Sequence, residues 1–204
     1  MRVCEIFGSL QGEGRHQGRP TTFVRLAGCN LRCRWCDTPG AQDPRHGEEA
    51  SVDVVLDQVW RMRRRHVCIT GGEPLLQVEE VAEMCRRLHR MDYTVEIETN
   101  GTVDFRPVQP FASVCMDVKC PSSGEKSDIA LLQHIRPSDS VKFVVGDARD
   151  LEYAEQVITR CPVRGEIFVS PVYGSDERGI AAWVLESGLP VRFQIQLHKH
   201  LEMR

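Results

Sequence analysis

The distribution of apolar residues along the chain predicts an alternation of β-strands and α-helices. Runs rich in apolar and β-branched residues occur at seven places, 22–26, 66–70, 94–99, 114–119, 141–145, 167–172 and 191–196. Apolar residues at helical spacing occupy 52–62, 78–88, 151–159 and 176–186. Ser51, just before the first of these segments, is a good N-cap residue. The alternation favours parallel β-α-β units.

The number of strands and the chain length together decide the architecture. A closed eight-fold α/β barrel takes about 250 residues, whereas this chain has 204. We therefore predict an α/β fold with an incomplete, TIM-like barrel, formed by a single domain over residues 1–204. Little helix is expected in the crossovers after Thr99 and Lys119. Residues 39–50 are predicted to be a flexible loop, and the glycines at 8, 12 and 14 favour a turn before the first strand.

The composition is that of an ordinary globular protein. A hydrophobic content of 41%, a charged content of 27% and a net charge of −3 give no reason to expect nucleic acid or a membrane surface as a partner. Four arginines at positions 61, 63, 64 and 65 favour a solvated helix end, with an RNA contact as the weaker alternative. The sequence has no apolar run of membrane-spanning length, so we expect a cytoplasmic protein.

The cysteines fall into two groups. Their odd number, nine, and the lack of a secretory signal pattern indicate a reducing compartment without disulfides. Six of them lie among apolar neighbours, and most of these are expected to pack in the core: Cys4, Cys68, Cys85, Cys115, Cys120 and Cys161. The other three lie within eight residues of one another.

Cys29, Cys33 and Cys36 follow an apolar strand, at the end where α/β barrels carry their active sites. Thiolates are preferred ligands of iron–sulfur clusters and zinc. A structural zinc site normally has four protein ligands, and a fourth is missing nearby in the sequence. Three thiolates therefore favour a cluster with one open iron, which suits a small molecule with an amine and a carboxylate. A zinc site completed by a distant Cys or His, or unrelated thiols, are the alternatives.

Several motifs occur together in an order that one enzyme family shares. The spacing Cys-x3-Cys-x2-Cys, with Trp35 before the last cysteine, resembles the radical S-adenosylmethionine (radical SAM) superfamily. Within it, the chain resembles the 7-carboxy-7-deazaguanine synthase family at 10–14 (LQGEG), 23–26 (FVRL), 70–74 (TGGEP) and 98–102 (ETNGT). The resemblance implies a lyase that converts 6-carboxy-5,6,7,8-tetrahydropterin to 7-carboxy-7-deazaguanine with loss of ammonia. This step belongs to 7-deazapurine biosynthesis (preQ0, queuosine, archaeosine).

The resemblance also implies roles for particular residues. Cys29, Cys33 and Cys36 would hold a 4Fe-4S cluster, and Thr38 would bind Mg²⁺. S-adenosylmethionine would contact Trp35, Cys36, Asp37, Gly72, Asp117, Val118, Lys119 and Ser170. The chain departs from the family's usual residues at 117–119, where Ser-Pro-Lys is frequent, and near Ser170, where Gln is frequent. The substrate would contact Leu10, Gln11, Gly12, Glu13, Arg25 and Thr70, with Glu98 and Asn100 at the same mouth unless they only cap a turn. His198 resembles the family's C-terminal histidine, although a lone terminal histidine is more often a surface residue.

Physical reasoning supports some of these roles. Arg25 is a charge inside an apolar strand and needs a partner, and its guanidinium suits a carboxylate. A hydroxyl at Thr38 suits a hard cation that keeps few protein ligands, although by itself Thr38 would be an ordinary turn residue. The glycines at 71 and 72 allow close approach, and carbonyl or carboxylate oxygens of this motif would accept from the amino group of S-adenosylmethionine.

The resemblance implies a chemistry and partners as well. A reduced cluster passes one electron to S-adenosylmethionine, a 5′-deoxyadenosyl radical removes hydrogen from the pterin, and S-adenosylmethionine is regenerated. An external electron donor and a homodimer are implied, and contact with tRNA is not. Two rival functions fit the three cysteines: a glycyl-radical-enzyme activating protein, and a non-catalytic iron–sulfur or zinc module. The motif at 10–14 and Thr38 argue against the activating protein.

Overall fold

One nine-stranded sheet forms the frame of the molecule, in a computed structural model that describes residues 1–203. In chain order the strands are β1 (Arg2–Leu10), β2 (Pro20–Leu26), β3 (Glu48–Glu49), β4 (His66–Gly71), β5 (Thr94–Thr99), β6 (Ser113–Val118), β7 (Ser140–Val145), β8 (Glu166–Pro171) and β9 (Arg192–Phe193). They lie side by side in the order β3-β1-β2-β4-β5-β6-β7-β8-β9. Strand β2 and the strands β4 to β9 run parallel to one another. Strand β1 pairs with β2 in the antiparallel direction, and β3 pairs with β1 in the same way. The order ends at β3 and β9, so the barrel is open, as predicted.

The helices cover the sheet and follow the predicted pattern. They are α1 (Val52–Arg61), α2 (Val78–Arg90), α3 (Ala148–Arg160), α4 (Glu177–Glu186) and the short α5 (Leu197–His200). The Ser51 side chain accepts from the backbone N–H of Val54, which confirms it as the N-cap of α1. The crossovers after β5 and β6 contain 3₁₀ turns such as Pro121–Ser123 and Ile129–His134 instead of long helices, as predicted.

Alternation along the strands separates the packed face of the sheet from the polar face. On β2, Val24 and Leu26 are fully buried in one hydrophobic cluster with Val59 of α1 and Leu88 of α2. Each such side chain contributes roughly 1.5–3 kcal/mol by leaving water. Arg25, between the two buried residues of β2, faces the other side of the sheet. The helices therefore cover one face, and the opposite face is left for polar chemistry.

Residues 2–10 form a strand, so the strand at 22–26, which we predicted to be the first, is the second. The turn expected at the glycines lies after this strand, at Gly12 and Gly14, while Gly8 belongs to the strand. β1 pairs with β2 from Val3 opposite Leu26 to Leu10 opposite Pro20. A register shift between Val3 and Glu5 interrupts the alternation of the two faces, which hides the strand from pattern reading. The cysteine loop therefore follows the second strand of the sheet. The chain after Leu10 enters the barrel from the N-terminal end of the parallel strands.

Two further segments differ from their predicted form. Residues 39–50 contain two 3₁₀ turns, Pro39–Ala41 and Pro44–His46, and the strand β3, which pairs with β1. The strand predicted at 191–196 shrinks to the two residues of β9. Beyond it, the Gln194 backbone N–H still donates to the Val169 carbonyl of β8, at 3.0 Å. The Gln194 side chain exchanges two hydrogen bonds with the backbone of Gly14, at 2.7 and 2.9 Å, so this segment is tied to the loop after β1 as well as to β8.

The arginine-rich end of α1 makes contacts within the chain. Arg61 pairs with Asp57 at 2.8 Å. The Arg64 side chain lies against β1, and the Arg65 guanidinium lies 5.2 Å from the centre of the Tyr93 ring. These contacts agree with a helix end that is partly solvated.

All nine cysteines are free. Cys68, Cys85, Cys115 and Cys120 are buried, which confirms the prediction for most of the six dispersed cysteines, while Cys4 and Cys161 are partly exposed. Within residues 1–203, no helix is both long enough and apolar enough to cross a membrane.

Candidate active site

An open pocket with about 1190 Å³ of empty space lies on the polar face of the sheet. It brings together nearly all the predicted site residues, namely Leu10, Gln11, Gly12, Glu13, Arg25, Cys29, Cys33, Trp35, Cys36, Asp37, Thr38, Thr70, Gly72, Asp117 and Lys119. Val118 and Ser170 are fully buried and do not line it. Val118 packs in the core because its neighbours 117 and 119 face the pocket. A contact of either residue with a ligand would have to use its backbone.

The cysteine loop is held in place by other segments. The N–H groups of Gly28 and Cys29 donate to the carbonyls of Ala41 and Gln42, at 2.8 and 3.1 Å. At its other end, the N–H of Arg34 donates to the Ser123 carbonyl at 2.9 Å. The N–H of Arg32 donates to the carboxylate of Glu125 at 2.6 Å. The loop therefore gets its shape from the turns at 39–42 and 121–125.

The three cysteine thiols of this loop are free, partly exposed and open to the pocket. The Cys29 sulfur accepts from the Leu31 N–H at 3.4 Å and from the Asn100 amide at 3.9 Å. Partial burial raises the pKa of Cys29 and of Cys33, and the Lys119 cation opposes that rise at Cys33. Free thiols, N–H donors and a nearby cation suit an anionic iron–sulfur cluster held by thiolates. Among residues 1–203, no three His, Cys, Asp or Glu side chains are arranged to bind a single metal ion.

The Gly-Gly-Glu-Pro turn after β4 brings its backbone against the cysteine loop. A Cβ on Gly72 would collide with the Gly28 carbonyl, so only glycine allows this approach. The Glu73 carboxylate is fully buried and accepts from the backbone N–H of Leu75 and Asn100 and from the Thr99 hydroxyl, at 3.0, 2.7 and 2.9 Å. Of the two kinds of acceptor expected in this motif, the carboxylate of Glu73 is engaged within the protein, and Gly72 is the residue that faces the pocket. Acceptance from a ligand's ammonium by a backbone carbonyl here stays a prediction.

Trp35 is fixed by a chain of polar contacts. Its indole N–H donates to the Ser122 hydroxyl at 3.1 Å, which in turn donates to the buried Asp150 carboxylate at 2.5 Å. The Lys119 ammonium lies 5.5 Å from the centre of the Trp35 ring, within the range of a cation–π contact. Lys119 also pairs with Asp117 at 2.8 Å. This network holds the second half of the cysteine loop.

A second ion pair crosses the pocket below this network. The Lys142 ammonium contacts the Glu13 carboxylate at 2.6 Å and lies 3.8 Å from Asp117. Burial would lower the pKa of Lys142, but the negative charges of Glu13 and Asp117 raise it well above its ordinary value. The other oxygen of Glu13 accepts from the Gln196 amide at 3.2 Å. Both oxygens of Glu13 are thus engaged within the protein.

Arg25 has the partner that its position in an apolar strand requires. Its Nε donates to Glu5 at 2.9 Å, and its Nη1 donates to the Thr38 hydroxyl at 3.1 Å. The Thr38 hydroxyl donates to Asp37 at 2.9 Å. Burial would raise the pKa of Asp37, but hydrogen bonds from His198 and Thr38 outweigh it and hold that pKa below its ordinary value. This rim offers a guanidinium to an anionic ligand, and a hydroxyl and a carboxylate oxygen to a cation.

The floor of the pocket consists of a hydrogen-bonded set of side chains. The Gln11 amide donates to Glu96 at 2.8 Å and to Glu98 at 3.2 Å, and the Thr70 hydroxyl donates to Glu98 at 2.9 Å. Glu98 and Asn100 line the pocket, as predicted.

Sequence reasoning missed some of the residues in this site. Lys142 is a lone charge inside an apolar strand, the same signal that identified Arg25, and should have been found by it. Glu96 shares its strand with Glu98, and a charge between Val95 and Ile97 carries a similar signal. Gln196 gave no such signal. His198, which we expected to be a surface residue, lines the pocket. Its ring lies so close to Gly12 that a side chain at position 12 would collide with it.

Comparison with known proteins agrees with this geometry. Residues 24–116 match the sequence model of the radical SAM superfamily. A 7-carboxy-7-deazaguanine synthase of Methanospirillum hungatei is 53% identical over 201 residues, 98% of this chain and 85% of that protein. The corresponding synthase of Koribacter versatilis is 36% identical over 98% of this chain and 96% of its own length.

A solved structure shares the whole fold. The crystal structure of QueE from Escherichia coli superposes with a TM-score of 0.79 at 25% identity, over 97% of this chain and 94% of that one. A relative that is more than half identical over nearly the full length shows the family directly. The chain belongs to the 7-carboxy-7-deazaguanine synthase family of the radical SAM superfamily.

Proposed function

We propose that this protein is a radical SAM lyase that converts 6-carboxy-5,6,7,8-tetrahydropterin into 7-carboxy-7-deazaguanine with loss of ammonia, in 7-deazapurine biosynthesis. The observation that carries the proposal is that one pocket holds three free thiols together with Arg25 and the polar floor. The names of the relatives support the same activity.

The thiols of Cys29, Cys33 and Cys36 would hold the 4Fe-4S cluster, with the Asn100 amide directed at one of the three sulfurs. The cluster and S-adenosylmethionine, when bound, supply the electron and the hydrogen-abstracting radical that the superfamily uses. Trp35, Cys36, Asp37, Gly72, Asp117 and Lys119 would bind S-adenosylmethionine beside the cluster, and the buried Val118 and Ser170 would contribute through their backbones. Their task is to orient the reactants and exclude water.

The substrate would lie between the rim and the floor of the pocket. Arg25 would bind its carboxylate, since a guanidinium matches that group with two N–H donors. At the other end, Gln11, Thr70 and Glu98 would bind the amide and amino edge of the pterin, against Leu10, Gly12 and Glu13. Because both oxygens of Glu13 are engaged, we assign the acceptor role at this edge to Glu98.

A magnesium ion would bind at the rim through the Thr38 hydroxyl. The neighbouring Asp37 carboxylate, kept ionised by its low pKa, adds negative charge there. Magnesium keeps few protein ligands and takes the rest from water and substrate. The Arg25 guanidinium donates to the same hydroxyl. Because Mg²⁺ and Arg25 are both positive, the substrate carboxylate would be needed between them.

The remaining assignments are proposals of the same kind. We propose that residues 1–204 act as a single domain, in the cytoplasm and as a homodimer, with an external electron donor.

An anaerobic assay tests the function. The reconstituted protein is incubated with dithionite, S-adenosylmethionine, Mg²⁺ and the carboxypterin, and mass spectrometry detects the deazaguanine acid. Product is expected without any partner protein, which a glycyl-radical-enzyme activating protein would require as its substrate. Cys33→Ala serves as the control without a complete cluster. A parent protein that carries a cluster and cleaves S-adenosylmethionine but leaves the carboxypterin unchanged would contradict the proposal.

A further inference from the structure

Glu96 is a buried carboxyl group beneath the pocket floor. It lies on β5 with 1% of its surface exposed, and the carboxylate of Glu98 on the same strand lies close by. One side-chain amide, that of Gln11, donates to both carboxyl groups, at 2.8 Å to Glu96 and 3.2 Å to Glu98. Glu98 reaches the pocket and Glu96 does not.

The surroundings of Glu96 do not neutralise a charge on it. The ionisable groups that face it come from its own strand, from the three strands β4, β6 and β7, and from the turn after β1: Glu98, Cys68, Cys115, Lys142 and Arg15. Lys142 is already engaged by Glu13 at 2.6 Å, and Arg15 lies 3.6 Å from Glu166. Among the described ion pairs none includes Glu96. Burial, and then the charge of Glu98, raise the pKa of Glu96 to about 8 against the hydrogen bond from Gln11.

A neutral Glu96 would have a defined effect on the pocket. It can hold the Gln11 amide from below without adding a second negative charge next to Glu98. Glu98, fixed by Gln11 and by Thr70, is then the one charged acceptor that the floor presents. A carboxylate in such a setting suits a ligand edge with two adjacent N–H donors.

We propose that Glu96 is a positioning residue: as an uncharged carboxylic acid it fixes the Gln11 amide and leaves Glu98 as the single anionic acceptor for the donor edge of the pterin. This inference rests on the proposed function of the pocket. It concerns a residue that touches Gln11 and not the substrate.

The proposal predicts that substrate binding is linked to protonation of Glu96. A bound substrate displaces water above Glu98, which strengthens the repulsion between two carboxylates and favours the neutral form of Glu96 further. The pKa of Glu96 is then higher in the complex than in the free enzyme, so binding takes up a proton. Affinity is highest below the free-enzyme pKa of about 8 and falls as pH rises above it, by up to about tenfold per pH unit.

Anaerobic calorimetry on the reconstituted enzyme tests this inference. S-adenosylmethionine is present and reductant is omitted, so the carboxypterin binds without turnover. The dissociation constant is measured from pH 6.5 to 9.5 for the parent, for Glu96→Gln, and for Glu186→Gln, which alters an exposed carboxylate of α4. Any ionisation of the ligand itself appears in all three proteins. The parent and Glu186→Gln are expected to lose affinity above about pH 8, while Glu96→Gln binds within about threefold of the parent at pH 7 and lacks this loss.

Proton uptake gives a second measurement that needs no variant. Titrations of the parent at pH 8.5 in buffers of different ionisation enthalpy should show uptake of part of a proton on binding. The inference is overturned if Glu96→Gln follows the parent's pH dependence, or if the parent takes up no proton. A parent that binds S-adenosylmethionine but not the carboxypterin at any pH would overturn the proposed function itself.

Discussion

Three charged side chains interrupt otherwise apolar strands, and each serves the pocket. Arg25 on β2 lies at the rim, Lys142 on β7 crosses the interior, and Glu96 on β5 lies under the floor. A buried charge is expensive unless it is paired or neutralised. Arg25 and Lys142 are paired with carboxylates at 2.9 and 2.6 Å, whereas Glu96 is held neutral by its raised pKa. At the residue scale, charged residues are thus accommodated inside the barrel in two ways, by an ion pair at Arg25 and Lys142 and by a raised pKa at Glu96.

Replacement of Arg25 tests its role toward the substrate. Arg25→Met keeps much of the side chain's volume and removes the guanidinium. Loss of a charge-assisted contact is worth roughly 1.5–3 kcal/mol, so the carboxypterin should bind about one to two orders of magnitude more weakly. Binding of S-adenosylmethionine should survive. Arg61→Met, which breaks the exposed pair with Asp57, is the control. Unchanged KM and kcat would mean that Arg25 serves only as the ion-pair partner of Glu5.

The Thr38 hydroxyl tests the magnesium assignment. Thr38→Val preserves shape and deletes the ligand oxygen, so turnover should fall and lose its stimulation by Mg²⁺, while Thr38→Ser should keep more of that stimulation. Cluster assembly and cleavage of S-adenosylmethionine without substrate should persist in both variants. A Thr38→Val enzyme that responds to Mg²⁺ as the parent does would leave Thr38 as a turn residue only.

At the scale of elements, the cysteine loop depends on the turn after β6. Ser122, Ser123 and Glu125 hold Trp35, Arg34 and Arg32 through bonds that span about ninety residues of sequence. The turn itself is anchored to α3 by the buried Asp150, which accepts from the Ser122 backbone at 2.8 Å. The first helical turn of α3 therefore fixes the loop that would bind the cluster.

Loss of the Ser122 hydroxyl should loosen that loop. Ser122→Ala deprives the Trp35 indole of its acceptor, a loss of about 0.5–1.5 kcal/mol. In a background that carries both Trp60→Phe and Trp183→Phe, Trp35 is the one tryptophan of the sequence, and the metal-free protein should show a shifted or more readily quenched emission. Reconstitution should also yield less iron per chain. Ser138→Ala, at an exposed position, is the matched control. Identical emission in the two variants would show that the Ser122 hydroxyl does not fix Trp35.

Predictability from sequence also divides by element. The parallel strands β2 and β4 to β8 and the four long helices follow from local periodicity, and their observed bounds differ little from those predicted, whereas the strand predicted at 191–196 shrinks to the two residues of β9. β3 has two residues and offers no periodicity, and the register shift in β1 disguises its pattern. Within the site, motif resemblance identified the residues around the cysteines. It could not predict the contacts of Glu13 with Lys142 and with Gln196. These partners are 129 and 183 residues away in the sequence, and no local sequence pattern indicates such contacts.

At the scale of the whole molecule, contacts across the open side of the barrel join the loop after β1 to the segment after β9. The Gln194 side chain there binds both the N–H and the carbonyl of Gly14. The N–H of Leu197 donates to the Gly12 carbonyl at 3.1 Å. The C-terminal segment thereby covers the loop that forms the pocket floor.

Gln194 should accordingly contribute to global stability. Gln194→Leu keeps the bulk of the side chain but leaves the buried N–H of Gly14 unpaired, at a cost of about 1–3 kcal/mol. The Gly14 carbonyl loses one of its two donors and keeps the Gln17 N–H at 3.3 Å. Urea unfolding of the metal-free protein should show a lower midpoint than the parent. Gln156→Leu, at an exposed position of α3, should leave the midpoint nearly unchanged. Equal midpoints for the two variants would show that this bridge does not hold the barrel together.

The bridge between Gly14 and Gln194 also has a consequence for synthesis on the ribosome. Gly14 and Gln194 are 180 residues apart in the sequence. Gln194 therefore becomes available for this bridge only after the strands up to β7 have been synthesised. Chain growth from the N-terminus therefore exposes the three thiols well before the floor of the pocket has its cover.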